Sequence, residues 1–186
     1  MMKTFVFYCI LLSSIFSGCA SDSEGGIVFI GDSLIEYWDL EKSFPTFCCE
    51  NRGVAGATIE DLYDVCSNYS DHVIVLLVGT NNLSLWKDDT FIDYFNSSYL
   101  KLVDKLQARK ILVISLLPRD KFNNENIHKL NHSLKESLYE YPNVTFVDVF
   151  DSFLYAGNLN PEYSVDGLHL NQYGYLLLTQ LLDKEL

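Results

Sequence analysis

The run Ile27-Val28-Phe29-Ile30 shows no polar alternation and stops at the small polar tripeptide Gly31-Asp32-Ser33. An unbroken apolar, β-branched run of this kind reads as a strand covered on both faces, as in parallel sheets. Runs of the same character recur at 73–78, 111–116 and 144–149, with a weaker one around 47–54. Between them, Ile92, Phe95, Tyr99, Leu102, Val103 and Leu106 follow helical spacing, as do Ile127, Leu130, Leu134 and Leu138, and the chain closes with an amphipathic segment at 175–182. Strands alternating with helices predict an α/β domain with a parallel sheet wrapped on both faces. Ser33 then stands at the carboxyl end of the first strand, the edge where open α/β sheets hold ligands.

No repeat, low-complexity tract or Pro/Gly linker interrupts this pattern after Gly26, and Pro118, Pro142 and Pro161 fall in predicted connections. With 186 residues, 48% hydrophobic and 20% charged, the chain reads as one globular domain over 27–186, preceded by a segment of another kind. Residues 1–18 have the make-up of an export signal: Lys3 supplies the charged region, and the apolar run from Thr4 to Phe16 is too short to span a bilayer. Phe16-Ser17-Gly18-Cys19-Ala20 resembles the bacterial lipoprotein box, with Phe16 where Leu is usual. That makes Cys19 the expected lipidation site and residues 19–26 a polar tether, so the expected location is outside the cytoplasm, on a membrane, through the lipid alone. Ordinary signal cleavage after Ala20 satisfies the same small-residue rule.

The formal charge is −12, and loss of Lys3 with the signal takes it to −13 (−12 less one positive charge). So acidic an exported domain is a poor candidate for nucleic acid or anionic lipid, where Lys and Arg clusters carry the affinity. Cys48, Cys49 and Cys66 remain in the fold. Adjacent strand residues point to opposite faces, so at most one disulfide can form, and the expectation is buried free thiols. Sequons at Asn68, Asn82, Asn96, Asn131 and Asn143 would matter only in a eukaryotic secretory chain, against which the lipoprotein box argues.

Three further polar groups follow predicted strands: the glycine-rich stretch from Gly53 to Thr58, Gly79-Thr80-Asn81-Asn82, and Asp166-Gly167-Leu168-His169 near the C-terminus. In a parallel sheet such loops converge on one rim. With Gly31-Asp32-Ser33-Leu34, these blocks resemble, in order, those of the SGNH, or GDSL, hydrolase family, over the chain from about Ile27 to its end. The resemblance implies a three-layer α/β/α, flavodoxin-like domain that hydrolyses esters or thioesters. It implies Ser33 as nucleophile, His169 as base and Asp166 as its orienting acid. It further implies an oxyanion hole formed by the backbone amides of Ser33 and Gly56 and the side chain of Asn81, with no cofactor and no metal. Gly56 is preferred to Gly53 because Gly56-Ala57-Thr58 looks like the family's Gly-Asp-Thr. Ala57 and Asn82 both replace an Asp frequent in the family, which bears on the substrate site rather than on the mechanism.

The roles agree with what acyl transfer requires: an activated hydroxyl, a base that titrates near neutrality, and donors aimed at a developing oxyanion. The Gly-x-Ser-x-Gly elbow of α/β-hydrolases is absent around Ser33. Asp32 reads as structural, bonding loop amides. His128 and His132, at i and i+4, could imitate a zinc pair, but lack the Glu of an HExxH motif and read as a solvated helix flank. Trp38 and Trp86 either wall a cleft or cover the core.

The leading functional expectation is an exported ester hydrolase that removes acetyl or other short acyl groups from carbohydrate, its partner being a small-molecule or glycan ester. The alternative is a lysophospholipase or thioesterase, with an apolar groove walled by Leu83, Leu85 and Trp86. A glycan-binding or adhesion module that merely keeps the fold is opposed by the intact set Ser33, Asn81, Asp166 and His169.

Overall fold

The structure, a computed structural model, describes residues 25–64 and 69–186. The expected export signal, Cys19, most of the expected tether, Cys66 and the Asn68 sequon lie outside the described residues. In chain order the elements are β1 (Ile27–Gly31), α1 (Ser33–Glu36), α2 (Leu40–Ser43), β2 (Cys49–Gly53), β3 (Val73–Leu77), α3 (Thr90–Leu106), β4 (Lys110–Ile114), α4 (Asn124–Ser137), β5 (Val144–Val147), α5 (Phe150–Phe153) and α6 (Gln172–Leu182). A short hairpin pairs Leu154–Tyr155 with Asn158–Leu159.

The strands form one parallel sheet in the order β2-β1-β3-β4-β5, the flavodoxin-like order. The apolar runs are the central strands. Every residue of β1 is buried, as are all but the first of β3 and β4, because helices cover both faces. Alternate residues divide the core in two. Val28, Ile30, Ile74, Leu76, Ile111 and Val113 pack against Phe95, Tyr99 and Leu102 of α3 and Ile127, Leu130 and Leu134 of α4. Phe29, Val75, Leu77, Leu112 and Ile114 face Leu34 and Ile35 of α1 and Leu178 and Leu182 of α6. The result is the expected three-layer α/β/α sandwich. Each such side chain contributes about 1.5–3 kcal/mol by burial, so Leu102→Ala, emptying a site of zero exposure, would cost about 2–5 kcal/mol.

The weak run at 47–54 belongs to β2, an edge strand whose sequence CENRG has no fully buried residue. The helix starts are set by side-chain caps: Asp32, Asp39, Asn123 and Asn171 each accept a backbone amide from the first turn of α1, α2, α4 and α6.

The cysteines depart from expectation. Cys48 is disulfide-bonded and exposed rather than a buried free thiol. It sits just before β2. Cys49 is the free thiol among the described residues and is only half-buried, though burial still pushes it up to about 11. Three sequon asparagines, Asn82, Asn96 and Asn131, are buried at 0%, 8% and 4% exposure and hydrogen-bonded inside the domain, so a glycan could not be accommodated there.

Candidate active site

Loops from adjacent strands leave the carboxyl edge of the sheet side by side. Gly31 and Leu77 are register partners on β1 and β3, and the Asp32 amide donates to the Leu77 carbonyl at 3.3 Å. On the other side the Val54 amide donates to the Gly31 carbonyl at 2.9 Å, drawing in the loop after β2. The first three sequence blocks therefore meet around β1, at the switch point of the sheet.

Ser33 is the first residue of α1, directly after the cap Asp32, and is 5% exposed. Its Oγ lies 3.0 Å from Nε2 of His169, a residue 136 positions away in sequence. The other ring nitrogen, Nδ1, lies 2.7 Å from Asp166 Oδ2. Asp166 Oδ1 accepts the amides of Leu168 at 3.0 Å and His169 at 2.7 Å, so one carboxylate oxygen shapes the turn while the other orients the imidazole. Hydrogen bonds from the His169 ring and amide hold the Asp166 carboxyl at about 2. An ionised Asp166 favours the proton on Nδ1, which leaves Nε2 to accept from Ser33.

The turn carrying these residues has supports that sequence reasoning missed. Ser164 Oγ donates to the His169 carbonyl at 3.0 Å and accepts the Gly167 amide at 2.8 Å. Gly167 has φ +82°, and a Cβ there would lie 2.5 Å from Asp120 Oδ2, so only glycine fits. The Asp120 amide in turn donates to the Gly167 carbonyl at 2.8 Å, and its neighbour Arg119 donates through Nη1 to the Thr80 carbonyl at 3.0 Å. The available signal was position: Pro118-Arg119-Asp120 follows the fourth strand and so had to land on this rim.

Asn81 and the glycine block are also brought together. Asn81 Nδ2 donates to the Ala57 carbonyl at 2.8 Å, which leaves its second N–H free. Gly56, next to Ala57, takes φ +79° in the turn closed by the Ala57 amide on the Val54 carbonyl at 3.0 Å. Among the described residues, the amides of Ser33 and Gly56 donate to no acceptor. Gly53, by contrast, lies inside β2. Asn82 is a clamp: fully buried, it accepts the Ile59 amide at 3.0 Å and donates to Glu60 Oε2 at 2.8 Å, locking the third block to the second.

Asp32, directly before Ser33, is fully buried, its Oδ1 accepting the Leu34 amide at 3.0 Å, as expected of a loop-bonding carboxylate. Oδ2 makes no hydrogen bond. Burial raises the group to about 6, against the opposing pull of the Leu34 amide and the charges of His169 and Arg119.

Trp38 covers the core: it is 2% exposed and donates through Nε1 to Ser43 Oγ at 2.9 Å. Trp86 packs between Phe91 and Phe122, and Leu83 is 2% exposed, so of the three residues expected to wall an acyl groove only Leu85 stands free. His128 lies edge-on to Phe150, and His132 pairs with Glu136 at 3.6 Å, each exposed on the helix flank. Among the described residues no three His, Cys, Asp or Glu side chains gather to hold a metal, and no helix is long and apolar enough to cross a membrane.

The sequence profile of the GDSL-like lipase/acylhydrolase family matches residues 29–177. The chain is similar, at 32% identity over 169 residues, to N-acylneuraminate cytidylyltransferase of Escherichia coli O18:K1:H7, matching 84% of its own length but spanning only 39% of that protein. It is 30% identical over 172 residues to the platelet-activating factor acetylhydrolase IB subunit alpha1 of Rattus norvegicus, covering 84% of this chain and 72% of the relative. In three dimensions it resembles a candidate platelet activating factor from Streptococcus pneumonia, with a TM-score of 0.76 and 30% identity over 89% of this chain and 86% of that one. With its four sequence blocks converging on one rim, the chain belongs to the GDSL-like lipase/acylhydrolase family, a family of ester hydrolases.

Proposed function

We propose that the protein is a serine-dependent carboxyl-ester hydrolase that works through an acyl-enzyme and removes acetyl or other short acyl groups from carbohydrate. The observation that carries this reading is the chain of contacts from Ser33 Oγ to His169 Nε2 at 3.0 Å and from His169 Nδ1 to Asp166 at 2.7 Å. His169 takes the Ser33 proton as Oγ attacks the acyl carbon. The tetrahedral oxyanion is received by the amides of Ser33 and Gly56 and the free N–H of Asn81. Asp166 stabilises the imidazolium, which protonates the departing alcohol. Water, deprotonated by His169, then attacks the acyl-Ser33 ester and releases the acid. No step calls for a cofactor or metal.

A short acyl group is supported by the absence, among the described residues, of a groove built from Leu83, Leu85 and Trp86, and by a relative whose name is that of an acetylhydrolase. The second reading is a lysophospholipase- or thioesterase-type lipid acyl hydrolase with a preference for long acyl chains, favoured by the word lipase in the family's description. A series of p-nitrophenyl esters from acetate to palmitate, assayed on the domain from Ser21 onward, separates the two. Activity confined to acetate and propionate supports the carbohydrate reading; a maximum at long chains selects the lipid one.

The resemblance of residues 16–20 to a lipoprotein box supports, in our reading, an exported, lipid-anchored protein with Cys19 as the anchor. Its test is membrane association in an expressing bacterium, which Cys19→Ala should abolish.

A further inference from the structure

A groove of about 450 Å³ lies between the loop after α1 and the first turns of α6, lined by Tyr37, Asp39, Lys42, Gln172, Tyr175 and Leu176 among others. Two of its lining residues, Tyr37 and Leu170, adjoin His169, the first by ring contact and the second in sequence. The Tyr37 ring is 5.5 Å from the His169 ring, tilted by 52°, yet the side chain is 55% exposed. The floor is rigid: Tyr175 stacks on Trp38 at 5.7 Å and donates to the Leu34 carbonyl at 3.0 Å.

The reaction decides which part of a substrate comes here. In the tetrahedral intermediate the oxyanion points to Gly56 and Asn81, while the leaving oxygen must approach His169 Nε2 to be protonated. Whatever the alcohol carries is therefore delivered beside the imidazole, where Tyr37 stands. The groove offers that group an exposed aromatic face, and Lys42 and Gln172 contribute exposed polar ends with no side-chain partner among the described residues. An aromatic face rimmed by hydrogen-bonding groups suits a ring that is apolar on its C–H face and hydroxylated at its edge.

We propose that this groove is the subsite for the sugar ring of the leaving alcohol, with Tyr37 as its stacking platform and Lys42 and Gln172 as its polar contacts. The proposal rests on the ester-hydrolase reading above and adds where the alcohol binds.

The test compares 6-O-acetylglucose with ethyl acetate, whose alcohol is too small to reach Tyr37. Tyr37→Ala should lower kcat/KM about tenfold more for the sugar ester than for ethyl acetate, through KM; Tyr37→Trp should restore the sugar ester. An equal loss on both esters would mean that Tyr37 merely packs on His169, and no loss on either would mean that the ring binds elsewhere; each result overturns the proposal. Saturation-transfer NMR of methyl glucoside on the Ser33→Ala protein gives a second readout. Binding that vanishes on adding Tyr37→Ala supports the subsite, and no binding overturns it, even if the wild type hydrolyses neither ester and the esterase reading itself fails.

Discussion

The side-chain amide of the fully buried Asn82 donates to Glu60 Oε2 at 2.8 Å. Through that bond and the Ile59 amide, the loop after β3 fixes the loop that carries Gly56. An Asp, frequent here in the family, would face a carboxylate. Glu60 loses ground to desolvation, yet hydrogen bonds from Ser98, Tyr94 and Asn82 hold it below its ordinary value, so it is ionised at neutral pH. Asn82→Asp should therefore destabilise the domain by about 2–3 kcal/mol at pH 8 and by less at pH 4, where one carboxyl can take up a proton. Urea unfolding at the two pH values checks this.

Removing the side chain of Asn81 tests the oxyanion hole. Asn81→Ala should lower kcat about 10²- to 10³-fold with little change in KM, the mark of a donor used mainly in the transition state. Steady-state kinetics on p-nitrophenyl acetate provide the measurement.

Ser164 holds the turn that carries Asp166 and His169. Ser164→Ala removes a donor and an acceptor, and should cost about 1 kcal/mol in stability with a kcat loss of several-fold. Ser164→Thr keeps the hydroxyl and should recover most of the rate.

Asp32 makes stability fall as pH rises. Its carboxyl titrates at about 6 in the fold against 3.8 ordinarily. Between those values the native chain keeps a proton that the unfolded chain has released, so burial of the charge becomes a full cost only above about pH 6. Asp32→Asn keeps the cap acceptor and removes the charge. It should raise stability by about 2–3 kcal/mol at pH 8 and by much less at pH 4, as read by denaturant titration at both pH values.

The parallel sheet and its covering helices were legible because β1, β3 and β4 are buried on both faces and so carry unbroken apolar runs. The edge strand β2 was faint for the opposite reason: its exposed positions tolerate Glu50, Asn51 and Arg52. In the site, the motif residues were visible as blocks, whereas Ser164, Arg119, Asp120 and Tyr37 act through contacts between distant loops and have no local pattern. The Cys48 disulfide was missed because adjacent cysteines say that at most one can pair, but not whether one does.

The central claim is that Ser33 is the nucleophile, and covalent trapping tests it most directly. Intact-mass spectrometry after treatment with phenylmethylsulfonyl fluoride, followed by peptide mapping, should find one adduct per chain, on Ser33. Esterase activity should vanish in parallel, and Ser33→Ala should show neither adduct nor activity. Ester hydrolysis that persists in Ser33→Ala, or an inactivating adduct on another residue, would contradict the account.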